Sequence, residues 1–307
     1  MKKAILLFFA IFFVIFACKS APVTESSTEP SFVIPEGLEN PEKGPDISIK
    51  IPEIFSPDPD ADNKLEISLA VTHSVPIKDW NIRIQPNRRQ RQSEQENEQP
   101  RVNPRTNSAR RVFFEQTGTE SLPQNWVWNS KGSNGDLVQS AMEYRFILSV
   151  NDVFNNNTTE EGIINVDVLV RNEGGRIRII VPALIFPANE SDLSLITDED
   201  DIRNNRRVLR LIGRVLNRLD DYLITVEGHA NPTTRPNSQA RNNENPALRK
   251  LSQERAEAVV DYLEANYGIN RERLSIMGIG GDKPIVNWND PEENWKNNRV
   301  EFYLEKF

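Results

Sequence analysis

The spacing of apolar residues changes near residue 178, and this change divides the chain into two folded units. Before it, short runs such as KLEISLAV and EYRFILSV alternate apolar and polar residues with a period of two. After it, residues 202–219 and 245–266 carry apolar residues at helical spacing, with strand-like runs beside them. A period of two is typical of half-buried strands, and a period near 3.6 is typical of amphipathic helices. The pattern therefore predicts an all-β unit followed by an α+β unit.

The all-β unit is predicted to span residues 47–172. Its strand-like runs are separated by Gly, Asn, Asp and Pro, which favours a small antiparallel sandwich. In EYRFILSV, Tyr144, Phe146 and Leu148 fall on one face, as expected of a half-buried strand. Residues 85–111 are polar and mixed in charge, so we expect a disordered insertion between two strands there.

The α+β unit is predicted to span residues 178–307 in the order β-α-β-α-β-β. The strands are RIRIIVPALIF, YLITVEG, RLSIMGIG and RVEFYLEKF. An acidic turn precedes the first helix, and Asn245 followed by Pro246 is suited to begin the second. Gly268 is suited to end it. This order predicts two helices packed on one side of a mixed sheet.

The amino terminus has the features of a secretory signal. Two lysines precede a short apolar run, so residues 1–17 are predicted to be a signal peptide. The run ends in IFAC, which resembles a bacterial lipobox and contains the only cysteine of the chain, Cys18. The resemblance implies a lipid on Cys18, and Lys19 after it implies the periplasmic face of the outer membrane. An uncleaved anchor or an incidental cysteine are the alternatives. Residues 18–46, rich in Pro, Ser, Thr and Glu, are predicted to be a disordered tether.

Charge and residue spacing argue against several classes of function. With 37 basic and 45 acidic residues the formal net charge is -8, which disfavours general nucleic-acid binding. The two histidines, His73 and His229, have no Cys or His at metal-ligand spacing. No Ser-His-Asp order is present, and GIGG follows a strand-like run without opening a helix. We therefore expect no enzyme activity, no metal and no cofactor.

Three segments of the first unit resemble the FlgD-type immunoglobulin-like fold. They are IFSPDPDADNKLEI, DWNIRI and NWVWNSKGSNGDLVQSAMEYRFILSVNDVFNN. Trp80, Trp128, Gly135 and Tyr144 match that pattern, whereas Ser130 stands where it has glycine and its final turn also lacks one. The resemblance implies an immunoglobulin-like sandwich that acts as a spacer or binds an envelope protein partner, without chemistry.

Five segments of the second unit resemble the OmpA-like peptidoglycan-binding domain. In order, they are IIVPALIFPANESDL, ITVEGHANP, LSQERAEAVVDYLEANYGI, RLSIMGIGGDKPI and NNRVEFYL. In that family an Asp and an Arg hold the ammonium and carboxylate groups of the diamino acid in the peptide stem of peptidoglycan. The resemblance therefore implies peptidoglycan as the partner of this unit.

The family pattern places four candidate binding residues in this sequence. Arg255 in LSQERA matches the family arginine, and Asn231 stands where the family has Asp. Asn297 and Arg299 in NNRV match the last motif, although Arg299 is equally suited to a structural ion pair. The segment between Asn231 and Ser252 is longer than usual. Its polar residues, which could rebuild the pocket, are Arg235, Arg241, Asn242, Asn243, Glu244 and Asn245.

These features lead to one main hypothesis and one alternative. The main hypothesis is a non-enzymatic outer-membrane lipoprotein that anchors the membrane to the cell wall by binding the peptidoglycan stem. The alternative is a divergent OmpA-like domain that has lost or altered this binding and acts as a protein-interaction module. Asn keeps an acceptor oxygen but lacks the charge that attracts an ammonium group. If the family clasp persists, Asn231→Asp should tighten binding.

Overall fold

The computed structural model describes most of the chain between residues 36 and 306. The described residues are 34, 36–58, 61, 63–87, 112–119, 121–235, 238–291 and 293–306. The predicted signal peptide, the lipidation site Cys18, most of the predicted tether and residues 88–111 of the predicted insertion lie outside them. Within the described residues, no helix is both long enough and apolar enough to cross a membrane.

The first unit consists of two antiparallel sheets. Its strands are β1 (Asp46–Lys50), β2 (Leu65–Thr72), β3 (Ile77–Pro86), β4 (Phe114–Thr119), β5 (Asn125–Trp128), β6 (Glu143–Asp152) and β7 (Asn157–Asn165). One sheet has the order β1-β2-β5 and the other the order β4-β3-β6-β7. Leu65, Ile67 and Leu69 of β2 are buried and alternate with exposed residues, as the period of two predicts. β3 continues through Pro86, so the first two residues of the predicted insertion belong to a strand.

An aromatic core joins the two sheets. The ring of Trp126 on β5 lies 5.5 Å from that of Phe146 on β6 and 5.8 Å from that of Phe114 on β4. Trp128 is almost fully buried, and its Nε1 donates a hydrogen bond of 2.9 Å to the carbonyl oxygen of Lys131. Tilted ring pairs add to the energy of area burial, and the satisfied indole N–H removes a desolvation cost.

Three non-glycine residues of the first unit, Ser130, Ala141 and Asn155, lie in the left-handed region. Ser130 has a φ of 62° and Asn155 a φ of 67°. Glycine adopts this conformation without a Cβ clash, and Ser130 is the position at which the sequence lacks the glycine of the FlgD-type pattern. Asn tolerates it better than Ser does, so Ser130 is the more strained of the two.

The second unit contains a five-stranded mixed sheet. Its strands are β8 (Val170–Glu173), β9 (Arg176–Val181), β10 (Tyr222–His229), β11 (Leu274–Gly280) and β12 (Val300–Lys306). Their order is β11-β10-β12-β9-β8, with β10 and β11 parallel and the other neighbours antiparallel. The predicted mixed sheet and the order β-α-β-α-β-β from β9 to β12 are confirmed.

Strand β8 adds a hairpin that the sequence analysis placed at the end of the first unit. Glu173 pairs with Arg176, so Gly174 and Gly175 form a two-residue turn. Their φ angles of 66° and 90° are those that tight hairpin turns require and glycine adopts readily. The turn folds VRNE back onto β9, and β8 therefore lies at the edge of the second sheet.

The first helix, α1 (Glu199–Arg218), begins at the predicted acidic turn. The Asp198 side chain accepts hydrogen bonds from the backbone N–H groups of Asp200 and Asp201, which caps the helix. Its buried face includes Val208 and Ile212. An amphipathic helix of this kind is stabilised mainly by packing that face.

The second helix, α2 (Gln239–Tyr267), begins six residues earlier than its sequence pattern indicated. The side chain of Ser238, not Asn245, caps it by accepting from the N–H of Arg241. The prediction of its start was wrong because Pro246 is tolerated inside the helix and the sequence holds two suitable caps. Its end at Gly268, which has a φ of 65°, is confirmed.

Helix α1 also connects the two units. The Nη2 of Arg207 donates a hydrogen bond of 2.6 Å to the carbonyl oxygen of Ala141, before β6. The Nη2 of Arg214 lies 3.2 Å from the Oδ1 of Asp167, after β7. Buried apolar residues form one continuous core across the two units. The first unit is therefore packed against α1 of the second.

Candidate functional site

The candidate site lies at the carboxyl ends of the parallel strands β10 and β11, where α2 crosses them. The N–H of Gly280 donates to the Oγ of Ser252 on α2 at 2.9 Å. The N–H of Ala230 donates to the carbonyl oxygen of Gly280 at 2.9 Å. A Cβ on Gly228 would overlap the carbonyl oxygen of Ser252, so this glycine allows the close approach of helix and strand. Loops that leave such strand ends are frequent ligand sites.

Arg255 joins α2 to the connection between β9 and α1. Its Nε donates to the carbonyl oxygen of Glu190 at 2.9 Å, and its Nη2 donates to that of Pro187 at 3.2 Å. The guanidinium also lies 5.1 Å from the ring centre of Phe186. Arg255 is 9% exposed, so its guanidinium is held against this connection rather than extended into water.

Asn231 and Asn297 form a hydrogen-bonded pair between two loops. The Nδ2 of Asn297 donates to the Oδ1 of Asn231 at 2.8 Å, while the Oδ1 of Asn297 accepts from the backbone N–H groups of Ile285 and Val286. The Nδ2 of Asn231 donates to the carbonyl oxygens of Pro232 and Trp288, both at 3.1 Å. Asn297 is fully buried.

The orientation of both amides follows from this network. Backbone N–H groups can only donate, so they fix the oxygen of Asn297 on their side and direct its nitrogen towards Asn231. The oxygen of Asn231 must then face Asn297, and its nitrogen must face two carbonyl oxygens. Asn231 is thus engaged as both donor and acceptor within the protein.

Arg299 lies in a buried ionic cluster beneath the site. Its Nε donates to the Oε1 of Glu301 at 2.5 Å, and its Nη2 donates to the carbonyl oxygen of Lys283 at 3.0 Å. Arg178 and Tyr303 also donate to Glu301, which is fully buried. Burial alone would raise the pKa of Glu301, but the charge of Arg299 and the hydrogen bond from Tyr303 have a larger, opposite effect. The pKa of Glu301 is therefore lowered. The contacts of Arg299 are those of a structural ion pair, and its role in ligand binding stays a prediction.

His229 belongs to the same cluster. Its Nε2 lies 3.4 Å from the Oε2 of Glu227 and 3.8 Å from the Oε1 of Glu301, so the three side chains bring possible metal-ligand atoms together. Burial, with the charge of Arg299 added, lowers the pKa of His229 to about 3, which leaves the ring neutral at pH 7. Both carboxylates are already paired with cations, Glu227 with Lys283 at 3.2 Å. A metal would have to displace these cations, so the cluster is better described as an ionic core.

Side chains of the long segment between Asn231 and Ser252 hold the loops of the site. The Glu244 carboxylate accepts from the N–H and hydroxyl of Thr233 and from the hydroxyl of Thr234. Asp282 accepts from Asn245 at 2.7 Å and from Arg249 at 2.6 Å. The first turns of α2 are therefore fastened to the loops after β10 and β11.

The structure brings three of the four predicted residues together. Asn231 contacts Asn297, and the Nη1 of Arg299 lies 3.5 Å from the carbonyl oxygen of Asn297. The hydrogen bonds of Arg255 are instead with residues 187 and 190. The Pro187–Glu190 turn was not among the predicted site residues, although its segment PANE lies inside the first motif that resembles the family.

Comparisons with known proteins identify the second unit. Residues 197–299 match the model of the OmpA family. No curated protein matches the chain. A MotB-like protein from Desulfovibrio vulgaris is 23% identical, with a TM-score of 0.36, over 46% of this chain and 82% of that chain. The cell wall anchor of the T6SS from Pseudomonas aeruginosa is 23% identical, with a TM-score of 0.35, over 46% of this chain and 88% of that chain. The periplasmic domain of Helicobacter pylori MotB is 22% identical, with a TM-score of 0.34, over 45% of this chain and 78% of that chain.

The family match covers both helices, β10, β11 and the loops that form the candidate site. Arg255, Asn231, Asn297 and Arg299 all lie within the matched residues. Residues 197–299, which make up most of the second unit, are therefore a domain of the OmpA family.

Proposed function

We propose that the second unit binds the peptide stem of peptidoglycan and that the chain is a non-enzymatic anchor between the outer membrane and the cell wall. The family match over residues 197–299 supports the binding activity. The observation that carries the proposal is the position of Arg255, a guanidinium on α2 that is held beside the connection between β9 and α1. A guanidinium matches a carboxylate with two parallel hydrogen bonds.

The four predicted residues have different roles in this proposal. Arg255 receives a carboxylate of the stem. Asn231 and Asn297 hold the loops around the ligand, because their amides already bond to each other and to backbone groups of residues 285–288. Arg299 supports the same loop from below through the carbonyl oxygen of Lys283.

The rest of the chain would attach the protein to the membrane and set its distance from the cell wall. We propose that Cys18 bears the lipid, that residues 18–46 form the tether, and that the first unit is an immunoglobulin-like spacer. Its two antiparallel sheets with a shared core are compatible with that fold. The protein would then lie at the periplasmic face of the outer membrane, with the first unit available to an envelope protein partner.

Binding to purified sacculi tests the proposed activity. Lipid-free protein, residues 19–307, should sediment with sacculi and be released by soluble stem peptide. Arg255→Ala should lose this binding while retaining the helical circular dichroism of the wild type. Arg271→Ala is a matched control, because Arg271 is a partly exposed, ion-paired arginine at the amino end of β11. Equal binding by Arg255→Ala and wild type would contradict the assigned site.

A protein-interaction module is the alternative, and the engagement of Asn231 favours it over an unchanged family clasp. With its amide committed to the loops, Asn231 does not supply a charged partner for an ammonium group. Absence of sacculus binding by a folded sample would support this alternative.

The lipid assignment has its own test. Full-length protein should fractionate with the outer membrane. The Cys18→Ser substitution should prevent lipid attachment, and the variant protein should be absent from that fraction. Retention of Cys18→Ser in the outer membrane would show that another segment holds the protein there.

A further inference from the structure

We propose that Glu190 supplies the negative charge that this site offers to the ammonium group of the diamino acid. The proposal rests on the proposed function, since it names the partner of one group of that ligand. A free diamino-acid end presents a carboxylate and an ammonium close together, and a site that pairs only one of them leaves the other desolvated. Asn231 has no charge to offer, so the acid must come from another element.

Glu190 lies directly beside Arg255. The carbonyl oxygen of Glu190 accepts from the Nε of Arg255 at 2.9 Å, and the N–H of Glu190 donates to the carbonyl oxygen of Pro187 at 3.2 Å. The second hydrogen bond closes a turn in which Asn189 adopts a φ of 56°. The turn is thus fixed both internally and by the guanidinium.

The side chain of Glu190 is exposed and available. A glutamate carboxylate extends by roughly three bonds of about 1.5 Å from its Cα, so it stays within a few ångströms of the fixed backbone at residue 190. Within the described part of the chain, this carboxylate accepts no hydrogen bond and forms no ion pair. It is therefore a charged acceptor next to the proposed carboxylate-binding residue.

Other acids near the carboxyl ends of β10 and β11 are already engaged. Glu227 is paired with Lys283, and Glu301 with Arg178 and Arg299. Glu244 accepts from two threonines, and Asp282 from Asn245 and Arg249. To pair with any of these four acids, the ammonium group of a ligand would first have to displace a partner that stabilises the fold. Pairing with Glu190 displaces no such partner.

A pair of stem peptides tests the assignment. The first carries a diamino acid with a free side-chain amine, and the second is the same peptide acetylated on that amine. Calorimetry would measure the binding of each to lipid-free wild type and to Glu190→Gln. Glu272→Gln is the control, because Glu272 is an exposed glutamate of the same unit at the amino end of β11.

We expect Glu190→Gln to weaken binding of the free-amine peptide by about three- to tenfold, the range for a partly exposed ion pair. Acetylation should weaken wild-type binding by a similar factor, and Glu190→Gln should then cause no additional loss, because both changes remove one interaction. The loss should shrink at high salt. Glu272→Gln should match the wild type.

Two outcomes would overturn the assignment in distinguishable ways. If Arg255→Ala loses binding while Glu190→Gln binds both peptides as the wild type does, peptidoglycan binding stands and the role of Glu190 is refuted. If the folded wild type binds neither peptide, the proposed function and the role of Glu190 fail together.

Discussion

Replacing Asn231 with aspartate probes the structural role of this residue. The amide nitrogen of Asn231 donates to the carbonyl oxygens of Pro232 and Trp288, both at 3.1 Å. In Asn231→Asp, a carboxylate oxygen would replace this amide nitrogen and would face the two carbonyl oxygens. The change therefore removes two donors and introduces repulsion, although it restores the residue type of the family pattern.

The magnitude follows from those contacts. Each lost hydrogen bond has a net value of about 1 kcal/mol, and a partly buried acceptor without a donor costs about 1–3 kcal/mol more. We expect Asn231→Asp to lower the free energy of unfolding by roughly 2–4 kcal/mol at pH 7. A protonated carboxyl can donate once, so the loss should be smaller near pH 4 than at pH 7.

Urea unfolding followed by circular dichroism would measure this difference. Asn298→Asp is the matched control, because the Oδ1 of Asn298 accepts from the N–H of Asn231 at 2.9 Å and an aspartate oxygen can do the same. It should stay within about 0.5 kcal/mol of the wild type. An Asn231→Asp protein as stable as the wild type, or one that binds stem peptide more tightly, would refute this reasoning. The second result is the one that the family pattern alone predicts.

Three further changes test other parts of the structure. Unfolded His229 binds a proton below about pH 6.5, and folded His229 binds one only below about pH 3, so the wild type should lose stability as the pH falls between these values. In urea unfolding, His229→Phe should reduce the slope of stability against pH by up to about 1.4 kcal/mol per pH unit. An unchanged slope would contradict the burial of a neutral His229. Arg207→Met should cost roughly 2 kcal/mol by removing the charged hydrogen bond between the units, whereas exposed Arg203→Met should cost under about 0.5 kcal/mol in the same assay. Gly228→Ala should cost roughly 3 kcal/mol in thermal unfolding, because its Cβ would overlap the carbonyl oxygen of Ser252, and wild-type stability would show that α2 can shift freely.

Elements with a strong hydrophobic period could be predicted from the sequence. The alternation along β2 and β6 and the helical spacing of α1 each depend on neighbours within one element, so local pattern is sufficient. The start of α2 could not be predicted, because two capping residues compete and the choice depends on loops distant in sequence. Asn245 is used to hold Asp282 instead of capping the helix.

Candidate site residues could be chosen from the sequence, and their role in binding stays a prediction, but their contacts could not be predicted. Motif spacing located Arg255 and Asn297, since both lie in segments that resemble the family. The hydrogen bonds of Arg255 to the turn at residues 187–190, and of Asn297 to residues 285 and 286, form only when separate loops meet. For the same reason, the contact of Asn231 with two carbonyl oxygens could not be predicted from its position in the motif.

The most direct test of peptidoglycan binding is to map the bound stem peptide on the protein by NMR. Lipid-free protein, residues 19–307, would be titrated with soluble stem peptide while backbone amide shifts are followed. We expect saturable shifts in residues 187–190, 230–235 and 252–256 and in the loop 281–288, and no shifts in the first unit. No shifts at saturating peptide, or shifts confined to the first unit, would contradict the claim that this OmpA-family domain binds the cell wall at this site.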